Sequence, residues 1–404
     1  MNNDPIVITG IGMLDANGST LDQCWTNILA GTTVPVAIDD TEKYSNVKVK
    51  RAFTCDPYMD SLNLDGLDAR TLRTIPRAMA MAYHVSANAI KDSGIETNKQ
   101  AACIFTSISE SRNAYRYLSN SLDSGVVNLN PFKALWATVS WLSGFIGSEF
   151  KLTGPNFQIT AACASGLTAL YTGANLLKAD PTIEYALIGS CDEGTDRSFR
   201  YFFQLINALS TDDADNCSRP FDTSRNGFVG GDGACAMILE RKSSALARGA
   251  TIYGELAGFG NYKENDDSTS PSKDGIGSKS AMAAALLAAG VTAADIDYVN
   301  AHATSTPIGD DIETDSIEQI IGHNVPVSSN KSTIGHTFAA SGMLETAYSL
   351  LSMKYNTIPK NVHLTNPCNT NLTLPTETLH RPINTVLKNS FAFNGRCISV
   401  VLKK

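Results

Sequence analysis

Cys163 is the cysteine best placed for covalent chemistry, because it follows a short apolar run and precedes a stretch of small and helix-forming residues. A thiol between a strand and a helix lies near backbone N–H groups and the helix dipole, which favour the thiolate. Ala161, Ala162, Ala164 and Gly166 leave room for a substrate to approach. We therefore predict that Cys163 is a nucleophile. The alternative is a buried, inert thiol, which we expect for most of the other cysteines.

Two histidines lie in similar positions further along the chain. His302 ends an apolar run, and Lys331 and His336 lie five residues apart in a turn rich in Gly, Ser and Thr. A single histidine beside a strand is more often a structural residue. Two of them at strand ends, together with Cys163, indicate a shared site.

The segment after His302 is polar and then acidic. Thr304 and Thr306 place two hydroxyls at alternate positions, and Pro307 follows them. Three acidic residues then open a predicted helix, where negative charge at the N-terminus is favourable. They are Asp310, Asp311 and Glu313.

Three other kinds of site are alternatives. Cys163, His302 and His336 could bind zinc, but their spacing matches no compact ligand motif. A cysteine hydrolase would need a histidine oriented by Asn or Asp, and neither histidine has such a recognisable context. The glycine cluster of residues 227–234 lacks the Lys-Ser/Thr of a phosphate loop, so we interpret it as tight packing beside the site.

Apolar runs alternate with helix-like runs, which predicts an α/β fold with helices on the faces of a sheet. Residues 157–160 and 297–302 are predicted strands, and a helix over residues 278–289 is predicted to end at Gly290. The last two strands are predicted to form a hairpin at the Asn394-Gly395 turn.

The chain contains no low-complexity linker, and its pattern restarts near Arg248. We expect two tightly packed halves. Residues 1–250 would carry the nucleophile, and residues 251–404 would carry both histidines. The polar segment of residues 261–275 is predicted to be a mobile surface loop.

In its motifs the chain resembles the elongating β-ketoacyl-[acyl carrier protein] synthases of the thiolase superfamily, which have Cys-His-His active sites. The motifs occur in order: VITGIGML, TAACASG, SRPFDTSRNGFVGGDGA, NAHATSTPIGDDIE, NKSTIGH and SFAF. The initiating branch would have asparagine in place of His336. The resemblance implies the thiolase fold, in which two pseudo-equivalent α/β halves form a five-layered αβαβα core.

The resemblance also implies a reaction, the decarboxylative Claisen condensation of a malonyl unit with an acyl chain held as a thioester on Cys163. His302 and His336, as neutral imidazoles, would stabilise the enolate. The backbone N–H groups of Cys163 and Phe393 would form the oxyanion hole, and Phe393 would gate the acyl chain. Four residues would have supporting roles: Lys331 and Glu345 in the electrostatic network, and Thr304 and Thr306 in binding phosphopantetheine.

Two segments depart from the family pattern. Ala392-Phe393-Asn394-Gly395-Arg396-Cys397 replaces a Gly-Phe-Gly-Gly-Thr-Asn run, and residues 106–111 replace a glycine-rich turn. Fewer glycines stiffen the first loop, and the second change is expected to alter the acyl pocket. Both suggest a specialised relative from a polyketide or aryl polyene pathway rather than from primary fatty acid synthesis.

The expected partners follow from charge and from the resemblance. A net charge of −8 argues against nucleic acid. The substrates would be carried on the phosphopantetheine of an acyl carrier protein, with no other cofactor. Carriers of this kind are acidic, so we expect docking at Arg70, Arg73 and Arg77, or at Arg197 and Arg200; a solvated helix face is the alternative.

We expect a homodimer, or a heterodimer with a homologous chain-length factor. A non-catalytic chain-length factor is the alternative function, but such proteins lack the nucleophile. Nine cysteines without paired spacing and an N-terminus unlike a signal peptide predict reduced thiols and a cytoplasmic location. No apolar run is long enough to span a membrane.

Overall fold

A computed structural model describes residues 4–38, 48–109, 119, 123, 138, 140–264 and 270–404. The strands in these ranges are β1 Ile6–Leu14, β2 Val36–Ala37, β3 Arg51–Ala52, β4 Ala102–Thr106, β5 Asn156–Gln158, β6 Tyr185–Glu193, β7 Asp232–Arg241, β8 Gly254–Lys263, β9 Tyr298–Asn300, β10 Val327–Ser328, β11 Thr357–Ile358, β12 Leu379–His380, β13 Thr385–Ala392 and β14 Arg396–Lys403. The α-helices are α1 Leu21–Ala30, α2 Ala69–Thr74, α3 Arg77–Ser93, α4 Trp141–Glu149, α5 Ser165–Ala179, α6 Arg197–Leu205, α7 Lys242–Ala247, α8 Ile276–Ala289, α9 Pro307–Ile320, α10 Lys331–Ile334 and α11 Ser341–Tyr355.

The largest sheet has ten strands, in the order β10-β9-β13-β14-β8-β1-β7-β6-β4-β5. Outward from the middle of the sheet, one side has the order β1-β7-β6-β4-β5 and the other has the order β8-β14-β13-β9-β10. When the five strands of each side are counted along the chain, both orders are first, fifth, fourth, second and third. The directions also repeat, since on each side the first two pairings are antiparallel and the next two are parallel. The sides meet where β1 pairs antiparallel with β8. This repetition confirms two pseudo-equivalent halves.

Strands in both halves are buried on both faces, which requires helices above and below the sheet. Along β6, Ala186 and Ile188 join one apolar cluster, whereas Tyr185 and Leu187 join another. This alternation is the period of two that a β-strand imposes on its side chains. Helix α3 packs on β1, β7 and β6, and α8 packs on β8 and β14.

Helices α5 and α11 contact each other between the two sides of the sheet. Every residue of α11 from Ser341 to Met353 is buried, as expected for a helix enclosed on all sides. The α/β fold with a large central sheet agrees with the predicted thiolase fold. The domain boundary at residue 250 stays a prediction.

Several local predictions are confirmed. Helix α8 ends at Gly290, whose φ of 63° lies in the left-handed region. Strands β13 and β14 pair as a hairpin, and Asn394 and Gly395 in its turn have φ values of 63° and 62°. Because Ala392 pairs with Arg396, the turn has three residues, and a left-handed residue at its end is typical of such loops.

The predicted surface loop over residues 261–275 is wrong at its start. Strand β8 continues to Lys263, and Glu264 is buried. The carboxylate of Glu264 accepts hydrogen bonds from the backbone N–H of Gly277 and from the hydroxyl of Ser272. Residues 265–269 lie outside the described ranges.

None of the helices described is both long enough and apolar enough to cross a membrane. All nine cysteines are free thiols.

Candidate active site

Cys163 lies in the turn between β5 and α5. Ala162, directly before it, has a φ of 52°, a left-handed conformation that is strained for a residue other than glycine. The Ser165 hydroxyl holds this turn, because it accepts from the N–H of Ala161 at 2.8 Å and donates to the carbonyl of Ala162 at 2.5 Å. The Ser390 hydroxyl donates to the Cys163 carbonyl at 3.0 Å and so ties the nucleophile turn to β13.

Burial raises the pKa of Cys163 to about 12, although the positive charge of Lys331 opposes the shift. The thiol is therefore protonated at neutral pH. A position near the start of a helix favours the thiolate. At Cys163, however, the loss of hydration on burial outweighs the favourable charges, so the thiol is the resting form. The proton of the thiol must be accepted by another group during reaction.

His336 is positioned through its own backbone. Its N–H donates to the carbonyl of Val229 at 2.7 Å, and the N–H of Gly231 donates to the His336 carbonyl at 3.0 Å. A Cβ atom on Gly231 would lie 2.1 Å from the carbonyl oxygen of Ile334, so only glycine fits. The glycine cluster of residues 227–234 thus packs beside the site, as predicted.

The imidazole of His336 connects the thiol to a hydroxyl. Its Nε2 lies 3.1 Å from Sγ of Cys163, and its Nδ1 lies 3.0 Å from Oγ of Ser341. Oγ of Ser341 also accepts from the N–H of Thr337 at 3.0 Å, so its own proton can point to Nδ1. In that arrangement the single N–H proton of the neutral ring is on Nε2 and points towards the cysteine.

His302 follows β9 and is held from its backbone side by Glu313. The two carboxylate oxygens accept from the N–H groups of His302 at 2.8 Å and Ala303 at 2.7 Å. Nζ of Lys331 donates to the His302 carbonyl and lies 3.5 Å from Nδ1 of its ring. Because an ammonium can only donate, Nδ1 is the acceptor and Nε2 carries the proton.

The two rings lie close together and are both uncharged. Their centroids are 5.4 Å apart. Burial, reinforced by the positive charges of Lys331 and Lys388, holds the pKa of His302 and of His336 well below the ordinary value of 6.5. Two neutral imidazoles therefore face the thiol and can donate hydrogen bonds to a developing negative charge.

Lys331 and Glu345 form a buried ion pair behind the histidines. The other oxygen of Glu345 lies 2.7 Å from Nζ of Lys388. All three side chains are almost fully buried. This network is more extensive than the predicted pair, because it includes a second lysine.

The site opens into a cavity of about 370 Å³, lined by Cys163, His302 and His336. The cavity is also lined by Thr304 and Thr306, whose hydroxyl oxygens are 3.1 Å apart. These paired hydroxyls can exchange hydrogen bonds with a polar chain. A largely apolar wall beside them would suit the methylene groups of such a chain.

Phe393 lies at the cavity wall, and its ring centroid is 6.0 Å from that of Phe203. It packs against an apolar cluster that includes Phe228 and Phe338, and partly buried Ile108 joins the same cluster. Residues 107–109 surround the buried carboxylate of Asp192. Residues 110 and 111, the rest of the predicted pocket change, lie outside the described ranges.

The predicted docking arginines differ in their surroundings. Arg77 is ion-paired within the chain, since its guanidinium lies 2.8 Å from Asp56 and 2.9 Å from Asp232. Arg200 is 2% exposed and donates to backbone carbonyls, so it too is a structural residue. Arg70, in the first turn of α2, and Arg73, in its last turn, are exposed.

Sequence reasoning missed two residues of the site and the role of a third. Glu313 was expected to act through the helix dipole, whereas its carboxylate binds the backbone beside His302. Ser341 and Lys388 were not singled out. Lys388 had a signal, since a charged residue lies in the apolar run of β13; Ser341 had none, because its contact depends on how α11 meets His336.

Comparison with known proteins matches two family models to the chain. The beta-ketoacyl synthase N-terminal domain matches residues 3–245, and the beta-ketoacyl synthase C-terminal domain matches residues 253–365. The chain belongs to the beta-ketoacyl synthase family. The Cys-His-His site described above therefore lies in a condensing-enzyme fold.

Curated relatives of this synthase include proteins named 3-oxoacyl-[acyl-carrier-protein] synthase 2. That of Vibrio cholerae is 32% identical over 424 residues, covering 100% of both chains. That of Staphylococcus aureus strain COL is 30% identical and covers 100% of this chain and 99% of its own.

Solved structures confirm the synthase fold. A beta-ketoacyl synthase from Burkholderia phymatum is 28% identical, with a TM-score of 0.91 and 99% of each chain covered. A ketosynthase in complex with its chain length factor from Xenorhabdus doucetiae has a TM-score of 0.82 at 22% identity, covering 99% of this chain and 98% of that one. At that identity the likeness concerns the fold alone.

Proposed function

We propose that this chain is a 3-oxoacyl-[acyl carrier protein] synthase, an acyltransferase that condenses a malonyl unit with an acyl chain held on Cys163. One observation carries the proposal: a buried thiol and two neutral imidazoles converge at the end of one cavity, with Nε2 of His336 at 3.1 Å from Sγ. Curated relatives that carry this name align over the full chain.

The first step loads the enzyme. Sγ of Cys163 attacks the thioester carbon of an acyl carrier, the C–S bond to the carrier breaks, and the carrier thiol leaves with a proton. His336 is the nearest base, and in the tautomer with its proton on Nδ1 it accepts the thiol proton at Nε2. Ser341 supports either tautomer, because its hydroxyl can donate to Nδ1 or accept from it. Covalent capture divides one difficult condensation into two easier steps.

The second step makes the carbon–carbon bond. The malonyl C–C bond to the carboxylate breaks, CO2 leaves, and the electron pair forms an enolate whose carbon attacks the acyl carbonyl. The C–S bond to Cys163 then breaks, and the thiolate takes up one proton from solvent, which the condensation consumes overall. The Nε2–H groups of His302 and His336 stabilise the enolate oxygen. Neutral imidazoles suit this task because a buried enolate gains most from preorganised donors.

Other parts of the cavity would serve the carried substrate. Thr304 and Thr306 would bind the phosphopantetheine arm, since their hydroxyls line the route to Cys163. The backbone N–H groups of Cys163 and Phe393 would form the oxyanion hole, and Phe393 would move to admit the acyl chain. No cofactor beyond the carrier's phosphopantetheine is required by this scheme.

The assembly we propose is a dimer, either of identical chains or with a chain-length factor, and the docking surface for an acidic carrier includes Arg70 and Arg73. A structural neighbour is described as an acyl-carrier protein in complex with its ketosynthase. We further propose a cytoplasmic enzyme whose halves divide near residue 250. A specialised pathway of fatty acid, polyketide or aryl polyene synthesis fits the altered residues 392–397.

Two competing functions are less well supported. A non-catalytic chain-length factor would not need the buried thiol and both imidazoles in contact range. A zinc ion bound by Cys163, His302 and His336 would lie beside the ammonium of Lys331, and like charges at such short range in a buried site are unfavourable.

The test is a condensation assay with the purified chain, an acyl carrier loaded with a medium-length acyl group, and a second loaded with carboxyl-labelled malonate. We expect labelled CO2 and a 3-oxoacyl carrier in equal amounts. Activity only after addition of a homologous subunit would identify a heterodimer. No product under either condition, with a folded chain, would refute the synthase assignment.

A further inference from the structure

Lys388 is a charged residue inside a buried strand. It lies on β13 and is 0% exposed. Its Nζ is 2.7 Å from Oε2 of Glu345 and donates to the backbone carbonyl of Asn389. A buried ammonium is costly unless it is paired. No step of the proposed reaction uses this ammonium directly, so its effect on its neighbours needs an explanation.

Glu345 lies between two ammonium groups. Its Oε1 accepts from Nζ of Lys331, and its Oε2 faces Lys388. The ammonium of Lys331 also donates to the carbonyl of His302 and lies 3.5 Å from Nδ1 of that ring. Lys331 therefore connects the carboxylate to the imidazoles. The more closely Glu345 neutralises the ammonium of Lys331, the weaker is the positive potential that Lys331 exerts on the histidines.

We propose that Lys388 is a positioning residue for the condensation, because by sharing Glu345 it prevents that carboxylate from cancelling the positive charge that Lys331 presents to His302 and His336. The inference rests on the proposed function and deepens it. Lys388 is not among the described residues that line the cavity, and it acts through Glu345 and Lys331.

The charges around the imidazoles support this. Lys331 and Lys388 are positive, whereas Glu345 and Glu313 are negative, Glu313 being bound to the backbone N–H of His302. With all four ionised, their charges sum to zero. Without Lys388 the sum is −1, and a negative surrounding favours the imidazolium. The pKa of both histidines is lowered by Lys388 as well as by Lys331.

Other titratable groups near the histidines do not change in this comparison. The thiol of Cys163 faces His336, and the buried carboxylate of Asp192 accepts from the N–H of Ala339 at 2.8 Å. Asp192 is unchanged in every variant, and Cys163 is in the same state in every enzyme compared, acylated for turnover and free for titration. The difference between variants at position 388 therefore reports the lysine charge.

The test compares Lys388→Met with a double variant, Lys388→Met with Glu345→Gln. The single variant has a charge sum of −1, and the double variant returns the sum to zero. Each enzyme is preloaded with an acyl chain on Cys163, and release of labelled CO2 from a malonyl carrier is followed in single turnover from about pH 4 to about pH 8, because the pKa of each histidine in the wild type lies well below 6.5. Lys178→Met is the matched control, an exposed lysine on α5.

We expect the acid limb of the Lys388→Met profile to rise by roughly one pH unit, because the histidines protonate more readily. The double variant and Lys178→Met should keep the acid limb of the wild type. Imidazole titration by NMR of 15N-histidine-labelled enzyme should show the same shift without turnover. If Lys388→Met does not fold, Lys388→Gln keeps a donor for Glu345 without the charge and should show the same shift.

An unchanged acid limb in a folded, uncharged variant at position 388 would overturn the inference, as would a double variant whose acid limb stays raised. A merely structural role would lower all rates without moving the profile. Failure of the wild type to release CO2 would instead overturn the proposed function, and the NMR titration would still test the lysine.

Discussion

Nε2 of His336 lies 3.1 Å from Sγ of Cys163, although the two residues are 173 positions apart in the chain. The contact joins the turn before α5, which holds Cys163, to the segment that holds His336 in the other half of the fold. Both groups are buried, and each is uncharged at neutral pH. The pair is therefore a thiol beside a neutral imidazole rather than a thiolate–imidazolium pair.

This protonation state predicts how Cys163 reacts with alkylating agents. Because burial raises the pKa of Cys163 to about 12, the thiolate fraction grows about tenfold per pH unit through the neutral range. Alkylation by iodoacetamide, measured by peptide mass spectrometry at residue 163, should accelerate continuously from about pH 7 to pH 9. A rate that is already constant above about pH 7 would indicate a preformed thiolate and contradict the description.

Replacing either histidine should separate the two steps. His302→Ala should lower malonyl decarboxylation by about 10²-fold or more while acylation of Cys163 continues, because His302 donates only to the enolate. His336→Ala should lower decarboxylation similarly and also slow acylation in part, because His336 contacts the thiol. The measurements are CO2 release and acyl-enzyme mass. Equal loss of acylation in both variants would show that the roles are assigned incorrectly.

The turn after Phe393 should tolerate no side chain at Gly395. A Cβ atom there would lie 2.6 Å from Cβ of Glu264, at a φ of 62°. Gly395→Ala should therefore destabilise the protein by about 1–3 kcal/mol and slow acyl loading, measured by thermal unfolding and by acyl-enzyme formation.

Gly290→Ala is the matched control for that experiment. Gly290 has a nearly equal φ of 63°, but a Cβ atom there would meet nothing within 4 Å. It should share the backbone cost and leave acyl loading unchanged. Equal effects of the two substitutions on acyl loading would show that the turn at Gly395 does not control the movement of Phe393.

Carrier docking should depend on the exposed arginines of α2. Arg70→Glu with Arg73→Glu should raise the apparent KM for the carrier, and the difference should shrink in high salt, because surface charges are screened. Lys91→Glu with Lys178→Glu makes the same charge change at exposed positions on α3 and α5 and serves as the control. A KM that is unchanged in the arginine variant would remove α2 from the docking surface.

The sequence predicted much of this molecule because its signals were local. The apolar runs, the helix end at Gly290 and the Asn394-Gly395 turn each depend on neighbouring residues, and all were recovered in the structure. Cys163 and both histidines were found from their positions at strand ends and from the family motifs.

What the sequence did not predict depends on burial and on distant contacts. The helix dipole near Cys163 favours the thiolate, but the enclosed turn desolvates the sulfur and raises its pKa. Arg77 appeared to be a surface charge, yet its guanidinium lies between Asp56 and Asp232 from elsewhere in the chain. The contact of Lys388 with Glu345 likewise requires β13 to lie beside α11.

The most direct test of the central claim is to locate the acyl group on the enzyme after incubation with an acyl carrier. Cys397 lines the same cavity and provides the control, since its burial also raises the pKa of its thiol. Intact-protein and peptide mass spectrometry should find the acyl mass on Cys163, retain it in Cys397→Ala and lose it in Cys163→Ala. An acyl group on Cys397 or on any other residue, with Cys163 unmodified, would contradict the account.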